Sequence, residues 1–336
     1  MNSLPRELVG EISNSLHVND AIELGKTNKQ FFTNLSKIDF GYKVNHPIDI
    51  NAIFDVKGDY RRRQYVIGNF KHMLVESLDE LIQSQTLWPH LTHLTFGPNF
   101  NKSIDMVEFP KTLTHLIFGY SFDMAVDNLN LPISLTHLTF GIRFNHTVDR
   151  LKLPKFLTHL TFGNFFNQPI DNLILPNTLT HLTFGSCFDQ LIGNVKMPDS
   201  LTHLTFGYIF NQSVDSLKLS DSLTHLEFGC AFNQPIDNLK LPNTLTHLTF
   251  GSCFDQLIGN LKLPDSLTHL TFGYVFNKPV DSLKLPDSLT HLKFGYAFNQ
   301  PIDNLELPQS LRYLAFGYYF DQPIDKLKLP LHLNIS

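Results

Sequence analysis

Leu157-Thr-His-Leu-Thr-Phe-Gly163 begins a 22-residue stretch, continuing Asn-Phe-Phe-Asn-Gln-Pro-Ile-Asp-Asn-Leu-Ile-Leu-Pro-Asn-Thr178, that recurs along most of the chain. Numbering each copy from 1 to 22 gives eleven consecutive copies and the start of a twelfth at Leu333. The copies begin at Leu91, Leu113, Leu135, Leu157, Leu179, Leu201, Leu223, Leu245, Leu267, Leu289 and Leu311. One copy cannot bury its own apolar side chains, so the copies must stack into a solenoid with a continuous core.

Positions 3 to 6 of each copy predict a short β-strand. Leu160 and Phe162 alternate with His159 and Thr161, and side chains along a strand alternate between its two faces. The leucine at position 1 completes the spacing of a leucine-rich repeat. The Leu-x-Leu at positions 17 to 19, as in residues 239–241, predicts a second strand that ends at the following proline. The sequence therefore predicts a mainly β, leucine-rich-repeat-like β-solenoid of 22-residue repeats.

Three further positions have predicted structural roles. Glycine at position 7, as in Gly163, is expected in a sharp turn with positive φ. Phenylalanine at position 10, as in Phe166, occurs in all eleven copies and predicts a stacked aromatic spine. Position 11 is always Asn or Asp, as in Asn167. This predicts a buried side chain that bonds to the backbone of the next coil.

Composition argues against several classes of function. The net charge of -5 gives no basic excess for phosphate binding, so nucleic acid is not an expected partner. The sequence has no run of about 18 apolar residues and no signal-peptide pattern at its start, so no membrane is expected either. Cys187 and Cys253 occupy the same slot three copies apart, too far to form a disulfide. These features predict an intracellular protein of the cytoplasm or nucleus.

The motif Phe-Asn-Gln-Pro-Ile-Asp, at residues 166–171 and 232–237, closely resembles the FNIP repeat, a relative of the leucine-rich repeats. The resemblance covers residues 91–330, with Gln where the family name has Ile. The copies at residues 189–193 and 255–259 depart further because they lack both the Pro and the Asp. The resemblance implies a family of amoebae and the giant viruses that infect them, so a viral member would act inside a host cell.

Residues 1–40 resemble an F-box, the small helical module that docks on the Skp-type adaptor of cullin ubiquitin ligases. A proline suits a helix start, and apolar residues follow it at helical spacing. The resemblance implies adaptor contacts by Leu4, Pro5, Leu8, Ile12 and Leu16. The fold class therefore includes a small α-helical N-terminal module, and the alternative is a plain cap for the solenoid.

Residues 41–90 are interpreted as a linker or N-terminal cap, and residues 91–336 as the repeat solenoid. A degenerate copy is expected upstream, at residues 35–49, and partly enters this linker. An amphipathic helix around Leu74 to Ile82 is predicted to cap the first coil.

No constellation typical of catalysis occurs in the sequence, so we expect a protein that is not an enzyme and needs no cofactor. Histidine occupies position 3 from His93 to His291, and Tyr313 ends the column. Coils about 4.8 Å apart hold the rings parallel, whereas zinc requires convergent ligands. A solvent-facing ladder is therefore favoured, with zinc buffering as a further hypothesis. The Asp column at position 15, as in Asp171, repeats one kind of group along the solenoid. It does not bring unlike groups together at one point, as an active site requires.

Positions 8 and 9 vary between copies and are expected to carry binding specificity. Tyrosine is an effective anchor at protein interfaces, although aromatic residues beside a turn also serve as packing. The candidate target-binding residues are Tyr120, Arg143, Phe165, Tyr208, Tyr274, Tyr296, Tyr318 and Tyr319.

These features together predict a substrate-recruiting F-box-type subunit of a cullin ubiquitin ligase. Its expected partners are a Skp-type adaptor and a target protein that the sequence does not identify. The alternative is an interaction scaffold of FNIP repeats without a ligase link. Residues 329–336 are apolar at every second position from Leu329, so they are expected to pair as an edge strand that permits end-to-end self-association.

Overall fold

The computed structural model describes residues 72–75, 77 and 90–336. The F-box-like prediction for residues 1–40, with Leu4, Pro5, Leu8, Ile12 and Leu16, lies outside the described residues. So does the degenerate copy at residues 35–49.

The described residues form short strands, one for each coil, and no helix among them is long and apolar enough to cross a membrane. The strands are β1 (His72–Val75), β2 (His93–Phe96), β3 (His115–Ile117), β4 (His137–Thr139), β5 (His159–Thr161), β6 (His181–Thr183), β7 (His203–Thr205), β8 (His225–Glu227), β9 (His247–Thr249), β10 (His269–Thr271), β11 (His291–Lys293), β12 (Tyr313–Ala315) and β13 (Asn334–Ile335).

The chain divides into two compact units, and the described residues of each form a parallel β-solenoid of leucine-rich-repeat type. Unit 1 comprises Met1–Phe122 and Leu129–Gly141, and unit 2 comprises Asp123–Asn128 and Ile142–Ser336. In unit 1, β1 to β4 pair in chain order, and in unit 2, β5 to β13 do the same. The register aligns equivalent positions of successive copies, so each column of the sequence pattern becomes a column in space.

Each coil contains one strand and three turns. In the coil from Leu223, the turns are closed by backbone hydrogen bonds from Phe232 to Gly229 (3.2 Å), from Leu239 to Ile236 (3.1 Å) and from Leu245 to Pro242 (3.1 Å). The predicted second strand at residues 239–241 is wrong. Turns on both sides leave this segment too short for a ladder, and the leucines here serve packing instead.

Six columns of apolar side chains fill the core, including the aliphatic residues at positions 14 and 17, such as Ile236 and Leu239. Leucine at positions 1 and 4 and phenylalanine at positions 6 and 10 are buried in almost every copy. In unit 2 the rings of Phe188 and Phe210 stack 6.2 Å apart, and Phe184 packs 4.0 Å from Phe188. Burial of each such side chain stabilises the fold by about 1.5–3 kcal/mol. The predicted aromatic spine at position 10 is confirmed.

The side chain at position 11 joins each coil to the next, as predicted. The Asn167 Oδ1 accepts a hydrogen bond from the Asp189 N–H (2.9 Å), and the Asp189 Oδ1 accepts one from the Asn211 N–H (2.8 Å). Only an acceptor oxygen is needed for this bond, which explains why Asn and Asp interchange here. These side chains are half-buried or exposed, not buried as the sequence suggested.

The glycines at position 7 are required by close packing of coils, so the predicted positive φ is wrong. Gly229 and Gly251 both have φ outside the left-handed region. A Cβ built on Gly229 would overlap the carbonyl oxygen of Gly207 in the preceding coil. Any side chain at this position would therefore force adjacent coils apart.

Two segments outside the eleven regular copies also join the ladders. Leu74 lies in β1 and not in the predicted helix, because Met73 and Val75 are buried opposite Leu94 and Phe96 of β2. Residues 78–82 lie outside the described residues. At the other end β13 pairs with β12, which confirms the predicted strand on the eleventh coil.

Candidate functional site

The exposed face of the strands carries a ladder of half-buried histidines. In unit 2 the ring centroids of neighbours lie 4.1–4.2 Å apart from His159 to His291. In unit 1 a ladder runs from His72 to His137 with centroids 4.0 Å apart. The predicted parallel stacking is therefore present.

A threonine precedes each ladder histidine from His93 to His291, and its hydroxyl contacts the imidazole ring. The Thr224 Oγ1 donates to the Thr202 carbonyl at 3.0 Å and lies 2.9 Å from the His225 Nδ1. A hydroxyl carries one proton, so when Oγ1 donates to the carbonyl the Nδ1 carries the hydrogen that it shares with Oγ1. The same pair of contacts recurs at Thr246 and Thr268. In that tautomer the Nε2 of each neutral ring is the acceptor.

Burial and neighbouring imidazoles lower the pKa of several ladder histidines below the ordinary value of 6.5. Desolvation is the main cause that lowers the pKa of His203 and His247 from 6.5 to about 4, and the charges of adjacent histidines lower it further. In unit 1, the pKa of His93 falls to about 4 for the same reasons. Among the described residues, no group of three or more His, Cys, Asp or Glu side chains converges as metal ligands would. The ladder is an array of parallel imidazole rings.

All eight candidate target-binding residues lie at the turn of positions 8 and 9. Tyr120 is in unit 1, and the other seven are in unit 2. All are exposed except Tyr296, which is half-buried. Arg143 and Phe165 lie on coils that precede the tyrosine cluster described next.

Four of these residues form one aromatic cluster. Tyr274, Tyr296 and Tyr318 stack in successive coils, with ring centroids 4.5 Å and 5.1 Å apart. Tyr319 meets Tyr296 and Tyr318 edge-on at 5.1 Å and 5.4 Å. Tyr318 is 77% exposed, so the cluster presents aromatic surface to solvent.

A groove of about 730 Å³ runs beside this cluster, and we call it the tyrosine groove. The position 7 glycines from Gly229 to Gly317 contribute to its lining, and the columns at positions 5 and 8 flank them. Along position 8 the small side chains of Cys230 and Ser252 separate Tyr208 from Tyr274. Because glycine has no side chain, the same residues that let the coils approach also leave this channel open.

The sequence did not identify three residues of the groove as functional. Glu227 and Lys293 replace the usual threonine at position 5, and both are exposed in the groove lining. Cys230 lies at position 8 between the tyrosines. A signal was present, since all three depart from the common residue at their position, but only the register shows that they share one channel.

Comparison with known proteins is consistent with this geometry. The family profile of the FNIP repeat matches residues 80–121, 100–142, 122–165, 144–187, 166–209, 210–253, 254–297 and 298–335. A search of curated proteins gives no match.

Among solved structures, CroV588, described as a novel circular LRR protein, is 44% identical with a TM-score of 0.61. The match covers 74% of this chain and 43% of CroV588, so the chain spans less than half of that protein's length. An internalin (InlF) from Listeria monocytogenes strain 4b F2365 is 13% identical over 76% of this chain and 87% of its own, with a TM-score of 0.40. A leucine-rich repeat protein from Bacteroides ovatus ATCC 8483 is 15% identical over 73% and 74%, with a TM-score of 0.27.

Proposed function

The chain belongs to the FNIP repeat family, and on this premise we propose that it binds another protein through the tyrosine groove and performs no catalysis. The observation that carries the proposal is the row of exposed tyrosines beside an open channel. Tyr208 and Tyr318 are 60% and 77% exposed. Tyrosine is enriched at protein interfaces because its ring supplies a large contact area while its hydroxyl remains hydrated.

The charges along the groove specify the kind of partner. Glu227 and Lys293 lie three coils apart on the same column, a distance of roughly 14 Å at about 4.8 Å for each coil. An extended peptide rises about 3.3 Å for each residue. The matching ligand is an extended segment with a basic and an acidic residue about four positions apart.

A displayed library of random peptides tests this proposal with the full chain as bait. Selected peptides are expected to carry the two charges at that spacing, with apolar or aromatic residues between them. The double variant Glu227→Lys with Lys293→Glu should bind these peptides at least about tenfold more weakly, since like charges then face each other. It should instead select peptides with the charges reversed.

A matched charge change elsewhere on the coil serves as the control. Asp237 and Lys240 are exposed and lie outside the groove lining, so Asp237→Lys with Lys240→Glu should leave peptide binding unchanged. Selection without a charge pattern, or equal loss in both double variants, would show that the groove is not the binding surface.

We propose further that the chain recruits its bound partner to a cullin ubiquitin ligase, inside the cell. The support is the pattern of Leu4, Pro5, Leu8, Ile12 and Leu16, which resembles an F-box. A separate N-terminal docking module and a repeat surface for the target would suit a recruiting subunit. An interaction scaffold without a ligase link is the alternative.

Co-purification with the Skp-type adaptor separates these two functions. Residues 1–40 and the full chain are expected to retain the adaptor, and a chain lacking residues 1–36 is expected to lose it. The full chain with Leu8→Asp and Ile12→Asp is the point variant, and circular dichroism checks that its repeats remain folded. If the full chain does not bind the adaptor, or the truncated chain still does, the ligase link is wrong.

A further inference from the structure

Two cysteines meet across adjacent coils at the edge of the tyrosine groove. The Cys253 N–H donates to the Cys230 carbonyl at 2.7 Å, and each thiol is near enough to shift the pKa of the other. Disulfides join Cα atoms roughly 4.4–6.8 Å apart, which is the scale of separation that a direct backbone hydrogen bond between two residues imposes. The two residues therefore meet the distance requirement for a disulfide, and both thiols are free in the structure.

The two thiols have different surroundings. A hydrogen bond with the Tyr208 hydroxyl is the main cause that lowers the pKa of Cys230, and Ser252 lowers it further. Burial and the nearby Cys230 raise the pKa of Cys253. The thiolate is the reactive form of cysteine, so Cys230 is the better nucleophile. Cys253 is exposed and Cys230 half-buried, which leaves room for a small oxidant.

We propose that Cys230 and Cys253 form a redox-active dithiol, oxidised by a low-molecular-weight disulfide such as oxidised glutathione. The Cys230 thiolate attacks one sulfur of the oxidant, forms a mixed disulfide and releases one thiolate. The Cys253 thiol then loses its proton and attacks the Cys230 sulfur, and the second small thiol leaves. In total the protein loses two electrons and two protons, and the small disulfide is reduced to two thiols.

The third cysteine is an internal control for this proposal. Cys187 occupies position 9, as Cys253 does, and its N–H donates to the preceding coil at the same distance of 2.7 Å. The residue that receives this bond is Asn164 and not a cysteine. Cys187 therefore has the same backbone setting as Cys253 without a partner thiol across the coil step. The proposal does not depend on the proposed function of the groove.

The test exposes the dilute full chain to oxidised glutathione, blocks remaining thiols with N-ethylmaleimide and maps the peptides by mass spectrometry. The expected product is a peptide pair joined by Cys230 and Cys253 within one chain, which a reducing agent separates. The variant Cys187→Ser should give the same product. In Cys253→Ser the linked pair should be lost and glutathione should accumulate on Cys230 instead.

Variant Cys230→Ser should also lose the linked pair, with little glutathione taken up at Cys253. Two outcomes would overturn the proposal. One is the absence of the linked pair in the unmodified chain. The other is equal formation of disulfides by Cys187 and Cys253 between two chains, which would mean that both behave as ordinary surface thiols.

Discussion

The Oδ1 atom at position 11 supports the backbone of the following coil. The Asn211 Oδ1 accepts from the Asn233 N–H at 2.9 Å and from the Gln234 Nε2 at 3.1 Å. These contacts are partly buried, so water replaces them only in part. A single side chain thus holds the turn of the next copy in place, and the bond repeats along unit 2.

Replacing Asn211 with alanine should destabilise the protein by about 1–2 kcal/mol, because the Asn233 N–H loses its acceptor. The Asn211→Asp variant keeps Oδ1 and should lose less than half as much. Urea unfolding measures both changes, and amide hydrogen exchange at Asn233 should accelerate only in the alanine variant. Equal destabilisation by the two substitutions would contradict the role of Oδ1.

The structural role of a repeat position was predictable from the sequence when a single atom of its side chain determines that role. The Asn or Asp pattern correctly predicted the contact with the next coil, whereas the degree of burial depends on how the turn faces solvent. At position 7 the pattern identified the turn but gave the wrong cause. A preference for positive φ and a need for space both select glycine, and only the packed coils distinguish Gly229 from a left-handed turn.

At the scale of one element, the histidine ladder couples proton binding to folding. The histidines of an unfolded chain protonate near pH 6.5, whereas His203 and His247 in the folded ladder have pKa values lowered to about 4. Between these values the unfolded state binds more protons than the folded state. Stability must therefore fall as the pH falls through this window.

We expect the free energy of unfolding to decrease steadily between about pH 6.5 and about pH 4, by about 1 kcal/mol for each of His203 and His247 after solvent screening. Glu227 and Lys293 are charged side chains on this same face, at position 5. Urea unfolding across this range measures the slope. The double variant His203→Gln with His247→Gln should reduce it, and an unchanged slope would show that other groups cause the acid sensitivity.

Strands were predicted correctly where apolar and polar residues alternate clearly, and wrongly where that alternation covers only a few residues. Positions 3 to 6 show clear alternation, and every regular copy has its strand there. Residues 239–241 show a similar pattern, but two nearby turns prevent a ladder. At Leu74 the alternation of residues 72–75 spans only four residues, and a longer helical pattern obscured it.

At the scale of the whole chain, the sequence predicted the solenoid from its period alone but could not locate the groove. To locate the groove, one must know which substitutions fall on neighbouring coils and how far each turn projects. The nearly identical text at residues 175–219 and 241–285, about two copies long and repeated three copies further along, also indicates that coils can be added as a block.

Deleting residues 201–266, three whole copies within unit 2, should leave a folded and shorter solenoid. The junction joins Ser200 to Leu267 and preserves the order of positions, and each coil contacts only its neighbours. Circular dichroism should show the same β-signal for each residue, with a lower midpoint of urea unfolding. Loss of the cooperative transition would show that these coils do not stack independently.

The bond from each position 9 N–H to the coil before it has a consequence for how such chains diversify. Cys187 and Cys253 lie in nearly identical text, yet one faces Asn164 and the other Cys230. New chemistry therefore arises at the boundary where two adjacent copies meet, which we call a seam. A duplicated block retains all its interior seams and creates one new seam at its border. Duplication can thus place unlike residues side by side at a new seam without any substitution within either copy.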